Sequence, residues 1–127
     1  MMESVCYTHR MNLERYCLST NQTLASVRVV GGGAVSDVWM QMLADVLQIT
    51  VQVPESPRFA GAMGSYYCAM IGLGKLENYE AIYDAVKIAK EFKPNPVNAE
   101  VYNRLFGVYK QIYPSIKGLC DEINGVY

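Results

Sequence analysis

The sequence predicts an α/β fold in which two parallel strands are flanked by helices. Three observations carry this. A β-branched run, Val27-Arg28-Val29-Val30, stops abruptly at Gly31-Gly32-Gly33. Trp39, Met42, Leu43, Val46 and Leu47 then recur at helical spacing. Ile49 to Val53 alternates and is β-rich before Pro54 and Pro57 close it. A strand, glycine turn, helix and strand in that order form a crossover unit, which pairs its strands in parallel with a right-handed connection.

The remaining elements follow in chain order. Met2, Val5, Cys6, His9, Leu13, Tyr16 and Cys17 step by three and four, giving a first helix that ends near Ser19–Asn21. His9 lies on its apolar stripe and is expected to be partly buried and hydrogen-bonded to a neighbour. Val27–Val30 is the first strand and Thr50–Val53 the second. Ser36 is placed to cap the intervening helix through its hydroxyl, and Asp37 suits the positive end of the helix dipole. From Gly61 to Gly74 a helix carries Gly61, Gly64, Cys68 and Gly72 along one face. Interior helix glycines cost about 1 kcal/mol each, so this face is expected to lie close to another backbone, the sheet being the natural partner. Gly72 to Gly74 supplies its C-cap. Asn78 is expected to cap a further helix with Ile82, Val86 and Ile88 inside and Lys87, Lys90 and Lys93 near its end. Pro94-Asn95-Pro96 is a loop. Asn98 then opens a long helix on Val101, Leu105, Tyr109, Ile112, Ile116, Leu119 and Ile123, kinked at Pro114. The tyrosines are expected to cover the core edge with their rings while their hydroxyls reach water.

Composition bounds the function. The chain has 127 residues, with 51% hydrophobic and 18% charged residues, ample for one domain with a core. Eleven basic residues against twelve acidic, a net charge of −1, exclude a nucleic-acid binder working through general electrostatic attraction. The stretch from Ala60 to Leu73 is broken by glycines and too short to span a bilayer, so no membrane partner is expected. Cys6, Cys17, Cys68 and Cys120 form no CxxC pair, and one histidine is available, so no metal site is expected. Cys6 and Cys17, about 16 Å apart along one helix, are too distant to bridge. Free thiols and the lack of a basic leader pattern at Met1 to Ser4 point to the cytoplasm.

The chemistry concentrates at Gly31-Gly32-Gly33-Ala34-Val35-Ser36-Asp37. Three glycines remove every Cβ from the turn and lead towards a helix N-terminus, where phosphate or carboxylate is favoured, or where a flat base or ribose could lie against bare backbone. A tight turn without any ligand accounts for the same residues. Gly31-x-Gly33-x-x-Ser36 approximates a dinucleotide fingerprint, with Glu55 after the second strand where a ribose-binding acid would sit. This keeps a dinucleotide-binding βαβ unit of an oxidoreductase open as an alternative. A third alternative is a non-catalytic interaction module: a two-stranded sheet has exposed edges, and two copies could form a homodimer across them. Asp45 follows the apolar stripe of its helix and is expected to be solvent-facing or a helix-polar residue, not a catalytic base.

The run Val29-Val30-Gly31-Gly32-Gly33-Ala34-Val35-Ser36-Asp37-Val38-Trp39-Met40-Gln41-Met42-Leu43-Ala44-Asp45-Val46-Leu47 resembles the adenosine-contacting segment of the FGGY family of carbohydrate kinases. Gly61-Ala62-Met63-Gly64-Ser65-Tyr66-Tyr67-Cys68-Ala69, ending at Gly72-Leu73-Gly74, is similar to the family's next helix, and Val5 to Glu14 to the helix before the glycine motif. Tyr109-Lys110-Gln111-Ile112-Tyr113-Pro114 looks most like xylulokinase-type members. The resemblance implies an actin-like ATPase (ribonuclease-H-like) domain, represented in part across residues 1–127. It implies an ATP-dependent phosphotransferase with Mg²⁺ and a sugar substrate, xylulose or a related sugar. In the family, sugar binds mainly to an N-terminal domain and ATP mainly to a C-terminal one. Carried onto this sequence, the nucleotide contacts are Gly32, Gly33 and Ala34, with Asp37 at the later polar position; Asp37 also reads as a first-turn helix acid. The catalytic aspartate and the phosphate-binding hairpin belong to segments that nothing here matches. The resemblance therefore implies the last part of such an enzyme, without activity of its own. On this reading, Gly33→Val in a complete enzyme obstructs ATP more than sugar.

Overall fold

A computed structural model of the chain describes residues 2–82 and 86–125. Helix α1 (Met2–Thr20) precedes strand β1 (Ser26–Arg28), a 3₁₀ turn (Gly32–Val35), helix α2 (Asp37–Leu47) and strand β2 (Thr50–Pro54). A second 3₁₀ turn (Pro57–Phe59), helix α3 (Ala60–Gly72), a third 3₁₀ turn (Glu80–Ile82), strand β3 (Ile88–Phe92) and helix α4 (Pro96–Asn124) follow.

The crossover forms as the sequence predicts. β1 and β2 pair in parallel, with Val27 opposite Val51, and the Val29 amide extends the ladder by donating to Gln52 O at 2.9 Å. The two-strand expectation falls short by one, because β3 pairs antiparallel with β2, Gln52 opposite Glu91. The Gln52 amide donates to the Glu91 carboxylate at 2.6 Å across this pair. The helix expected after Asn78 is therefore corrected: Ile88, Lys90 and Phe92 lie on a strand. Residues 83–85, within the expected helix, lie outside the described residues. Pairing with β2 outweighed the helical spacing of Ile82 and Val86, which is the usual way tertiary contact overrides local pattern.

Helix α2 is the hub. It packs against α1, α4 and the sheet, and Met40, Leu43, Ala44, Val46 and Leu47 join Cys6, Val51 and Val53 in the core. Tyr7 of α1 and Phe106 of α4 close that core, with ring centroids 6.0 Å apart, and Tyr109 lies 5.3 Å from Tyr7. His9 does not share the burial of its neighbours; it is exposed, which corrects the expected partly buried histidine.

Two helices extend beyond the core. α3 buries no residue, and a Cβ at Gly61, Gly64 or Gly72 would meet no atom within 4 Å. The expected close approach of its glycine face to the sheet is thus corrected: the glycines meet nothing at that distance, and Cys68 on the same face is reached by the Tyr79 hydroxyl at 3.9 Å. Its C-cap does form, with Gly74 at φ +67 and its amide bonded to Ile71 O at 2.9 Å. α4 begins two residues before Asn98, with the Asn95 side chain accepting from the Val97 amide at 3.1 Å. Pro114 lies inside this helix. A 29-residue helix runs about 43 Å at ~1.5 Å per residue and outreaches a core this small. Only Phe106 is buried, while Ile112, Ile116, Leu119 and Ile123 of the predicted stripe are exposed.

Burial also shapes the protonation chemistry. Desolvation pushes the Cys6 thiol above its ordinary 9.0, partly offset by a hydrogen bond from Trp39. Desolvation likewise raises the phenols of Tyr7 and Tyr102 above 10.0. The folded chain holds these protons more tightly than the unfolded chain. Their contribution to stability is full below pH 9.0 and is lost as pH rises through 9.0, then 10.0, towards the folded values. Urea unfolding is expected to show a lower midpoint at about pH 10.5 than at about pH 8; an unchanged midpoint contradicts this assignment.

Candidate functional site

The site grows from the end of β1. Gly31 adopts φ +100, ψ −177, a conformation that side chains rarely tolerate. Its amide donates to Pro57 O at 2.8 Å, tying the turn to the segment after β2. The chain then winds one 3₁₀ turn. The Ala34 amide donates to Gly31 O at 3.3 Å and the Ser36 amide to Gly33 O at 3.2 Å. Ser36 ends this turn and caps α2, its hydroxyl accepting from the Trp39 amide at 3.4 Å.

The three glycines differ in what they meet. A Cβ on Gly32 would meet nothing within 4 Å, so its backbone face is bare. A Cβ on Gly33 would lie 2.6 Å from Trp39 Cζ3: the indole folds back over it and fills the space. Ala34 is 2% exposed and belongs to the core. Of the four residues named from sequence, Gly32 and Asp37 present themselves outward, and Gly33 and Ala34 serve packing in this chain.

Asp37 opens α2 and is not alone there. Lys90 of β3 reaches it, Nζ lying 2.7 Å and 3.0 Å from its two carboxylate oxygens. The α2 N-terminus thus carries an anion paired with its counter-charge. Gly32 and Gly33 lie in the 3₁₀ turn that leads into this helix end. Local spacing does not bring Lys90 to Asp37; the β2–β3 ladder does.

Asp45 is 3% exposed, so the expected solvent-facing role is corrected. Its Oδ1 accepts from the Gln41 amide and from the Asn95 backbone amide, each at 2.8 Å, and its Oδ2 from Asn98 Nδ2 at 2.7 Å. Gln41 also donates to Lys93 O at 2.8 Å. This carboxylate fastens α2 to the start of α4 and has a structural role.

A cavity of about 380 Å³ lies beyond the carboxyl ends of β1 and β2, lined by Val30, Glu55, Met63, Tyr67 and Lys87 among others. Glu55 is committed there through its backbone, its amide donating to Lys87 O at 2.9 Å. Among the described residues, no group of three or more His, Cys, Asp or Glu could hold a metal ion, and no helix is long and apolar enough to cross a membrane. All four cysteines are free thiols.

Comparison with known proteins fits this architecture. The chain is 32% identical over 121 residues to an autoinducer-2 kinase of Enterobacter sp. (strain 638), covering 94% of this chain and 23% of that protein. It is 31% identical over 125 residues to a xylulose kinase of Bacillus subtilis (strain 168), covering 98% of this chain and 25% of that protein. The chain thus spans about a quarter of the length of these relatives. Among solved structures, a xylulose kinase from Brucella ovis superposes with a TM-score of 0.76 at 24% identity, over 93% of this chain and 24% of that one, and shares the fold. A xylulose kinase from Rhodospirillum rubrum superposes with a TM-score of 0.70 at 25% identity, over the same shares of the two chains. The family described as the C-terminal domain of the FGGY carbohydrate kinases matches residues 1–73, which include the glycine turn, the whole of α2 and β2, and α3. The α/β expectation holds, the dinucleotide-binding alternative gives way, and the chain belongs to the FGGY family of carbohydrate kinases through its C-terminal domain.

Proposed function

We propose that this chain forms the nucleotide-side wall of an ATP-dependent sugar kinase. The reaction of the complete enzyme is transfer of the γ-phosphoryl group of ATP to a hydroxyl of xylulose or a related sugar. One observation carries the reading: the bare backbone face of Gly32 opens beside α2 in a segment that belongs to a carbohydrate-kinase family.

The residues present fit the nucleoside end of ATP. Gly31 and Gly32 offer a flat surface without Cβ atoms. Asp37 supplies acceptor oxygens for a ribose hydroxyl or an exocyclic amine. Gly33 and Ala34 act indirectly, by holding the turn against Trp39 and the core. Mg²⁺ neutralises phosphate charge in phosphoryl transfer. It is held mainly by phosphate oxygens, water and one or two carboxylates, and we assign it to the triphosphate and the rest of the enzyme. The base and the sugar-reading groups are assigned to the portion of the family that this chain does not match.

The 127-residue chain is therefore expected to bind ADP and ATP with no comparable affinity for NAD, and to give no turnover of xylulose with ATP. Calorimetric titration with the three ligands and a coupled kinase assay check this. A preference for NAD, or turnover above that of a host-protein control, overturns it.

A further inference from the structure

We infer that Lys90 is a positioning residue of the nucleotide wall, holding the Asp37 carboxylate in place and cancelling its charge so that a nucleotide can approach the glycine turn; this rests on the nucleotide reading above. The geometry is specific. Lys90 is on β3 and Asp37 on the first turn of α2, 53 residues apart in sequence, yet Nζ contacts both carboxylate oxygens at 2.7 and 3.0 Å. Both side chains are more than half exposed, at 53% and 59%, so the pair adds little to folding. Its consequence falls on the ligand instead. An unpaired carboxylate on the first turn of α2, which follows the glycine turn directly, repels a polyphosphate and is free to change rotamer. Paired with Lys90, it is neutral overall and points its remaining acceptor capacity in one direction. The register that brings Lys90 there is fixed by the β2–β3 ladder, Val53 opposite Lys90.

The test is ADP binding to the full chain by calorimetry at low salt, for the wild type, Lys90→Met, Lys90→Arg and the double variant Asp37→Asn/Lys90→Met. Lys90→Met is expected to bind about fivefold more weakly, the scale of one unscreened charge contact near water, and the loss should shrink as salt is added. Lys90→Arg should bind within about twofold of wild type, since it keeps the counter-charge, and the double variant, which loses the Asp37 contact but carries no uncompensated charge, should bind with no more salt dependence than wild type. A purely structural ion pair would instead lower the unfolding midpoint and leave ADP affinity unmoved. Wild-type affinity in Lys90→Met, or a double variant whose binding is as salt-sensitive as that of the single one, overturns the role of Lys90 and leaves the nucleotide reading standing. No saturable ADP binding by the wild type overturns both.

Discussion

Asp45→Ala is expected to destabilise the chain by about 3 kcal/mol, measured as the shift in the urea unfolding curve at neutral pH. The residue looks like an ordinary polar position on an amphipathic helix, but its carboxylate accepts from three donors, one of them the backbone amide of Asn95. Removing an acceptor from a buried donor costs the desolvation of that donor, and hydrogen bonds to a charged group are the stronger kind. The donors left behind belong to α2 and to the loop and first turn of α4, so the loss falls on the attachment of α4 to the core. Asp45→Asn keeps the shape but turns an amine towards donors, and should recover no more than part of the loss. A change below about 0.5 kcal/mol for Asp45→Ala, the range of ordinary surface substitutions, contradicts this account.

The second expectation separates two neighbouring glycines. Gly33→Ala places a methyl group 2.6 Å from Trp39 Cζ3, a distance that forces the indole to move. Overpacking of this kind costs about 1–3 kcal/mol, and Gly33→Val should cost more. Gly32→Ala meets nothing within 4 Å, so stability should be unchanged or slightly raised through the unfolded chain. The order reverses for ligand: Gly32→Ala obstructs the bare face and should weaken ADP binding by about tenfold or more. The sequence-based expectation placed the ligand effect on Gly33→Val; the position of Trp39 moves it to Gly32. Unfolding midpoints and ADP affinities for the two alanine variants check both halves. Equal stability of the two, or full ADP affinity in Gly32→Ala, contradicts the assignment.

What could be read from sequence was what local periodicity dictates. α1, α2, β1, β2 and the Ser36 cap follow from residue spacing and side-chain type within a few residues of each other. β3 could not be read in the same way. Ile82, Val86 and Ile88 imitate one helix face, and only the ladder to β2 makes Ile88–Phe92 a strand. The same limit hid the surroundings of Asp45, since its partners Asn95 and Asn98 stand fifty residues away. It hid Lys90 and the indole over Gly33 as well. The stripes of α3 and α4 mislead in the opposite direction. Their small and apolar faces promise burial, yet in this chain Met63, Ile116 and Leu119 are exposed. Periodicity reports that a face is apolar, not which chain segment covers it. The glycine turn was legible because consecutive glycines have few physical explanations, and the roles of its individual members were not, because they depend on what folds over each one.

The central claim is that nucleotide lies against the Gly32 face. Amide chemical-shift mapping of the labelled chain during ADP titration tests it most directly. The account predicts saturable shifts centred on Gly31, Gly32 and Asp37, with smaller ones at Lys90 across the ion pair. Shifts centred instead on the cavity lined by Val30, Glu55, Met63, Tyr67 and Lys87, with the Gly32 amide unmoved at saturation, would contradict it.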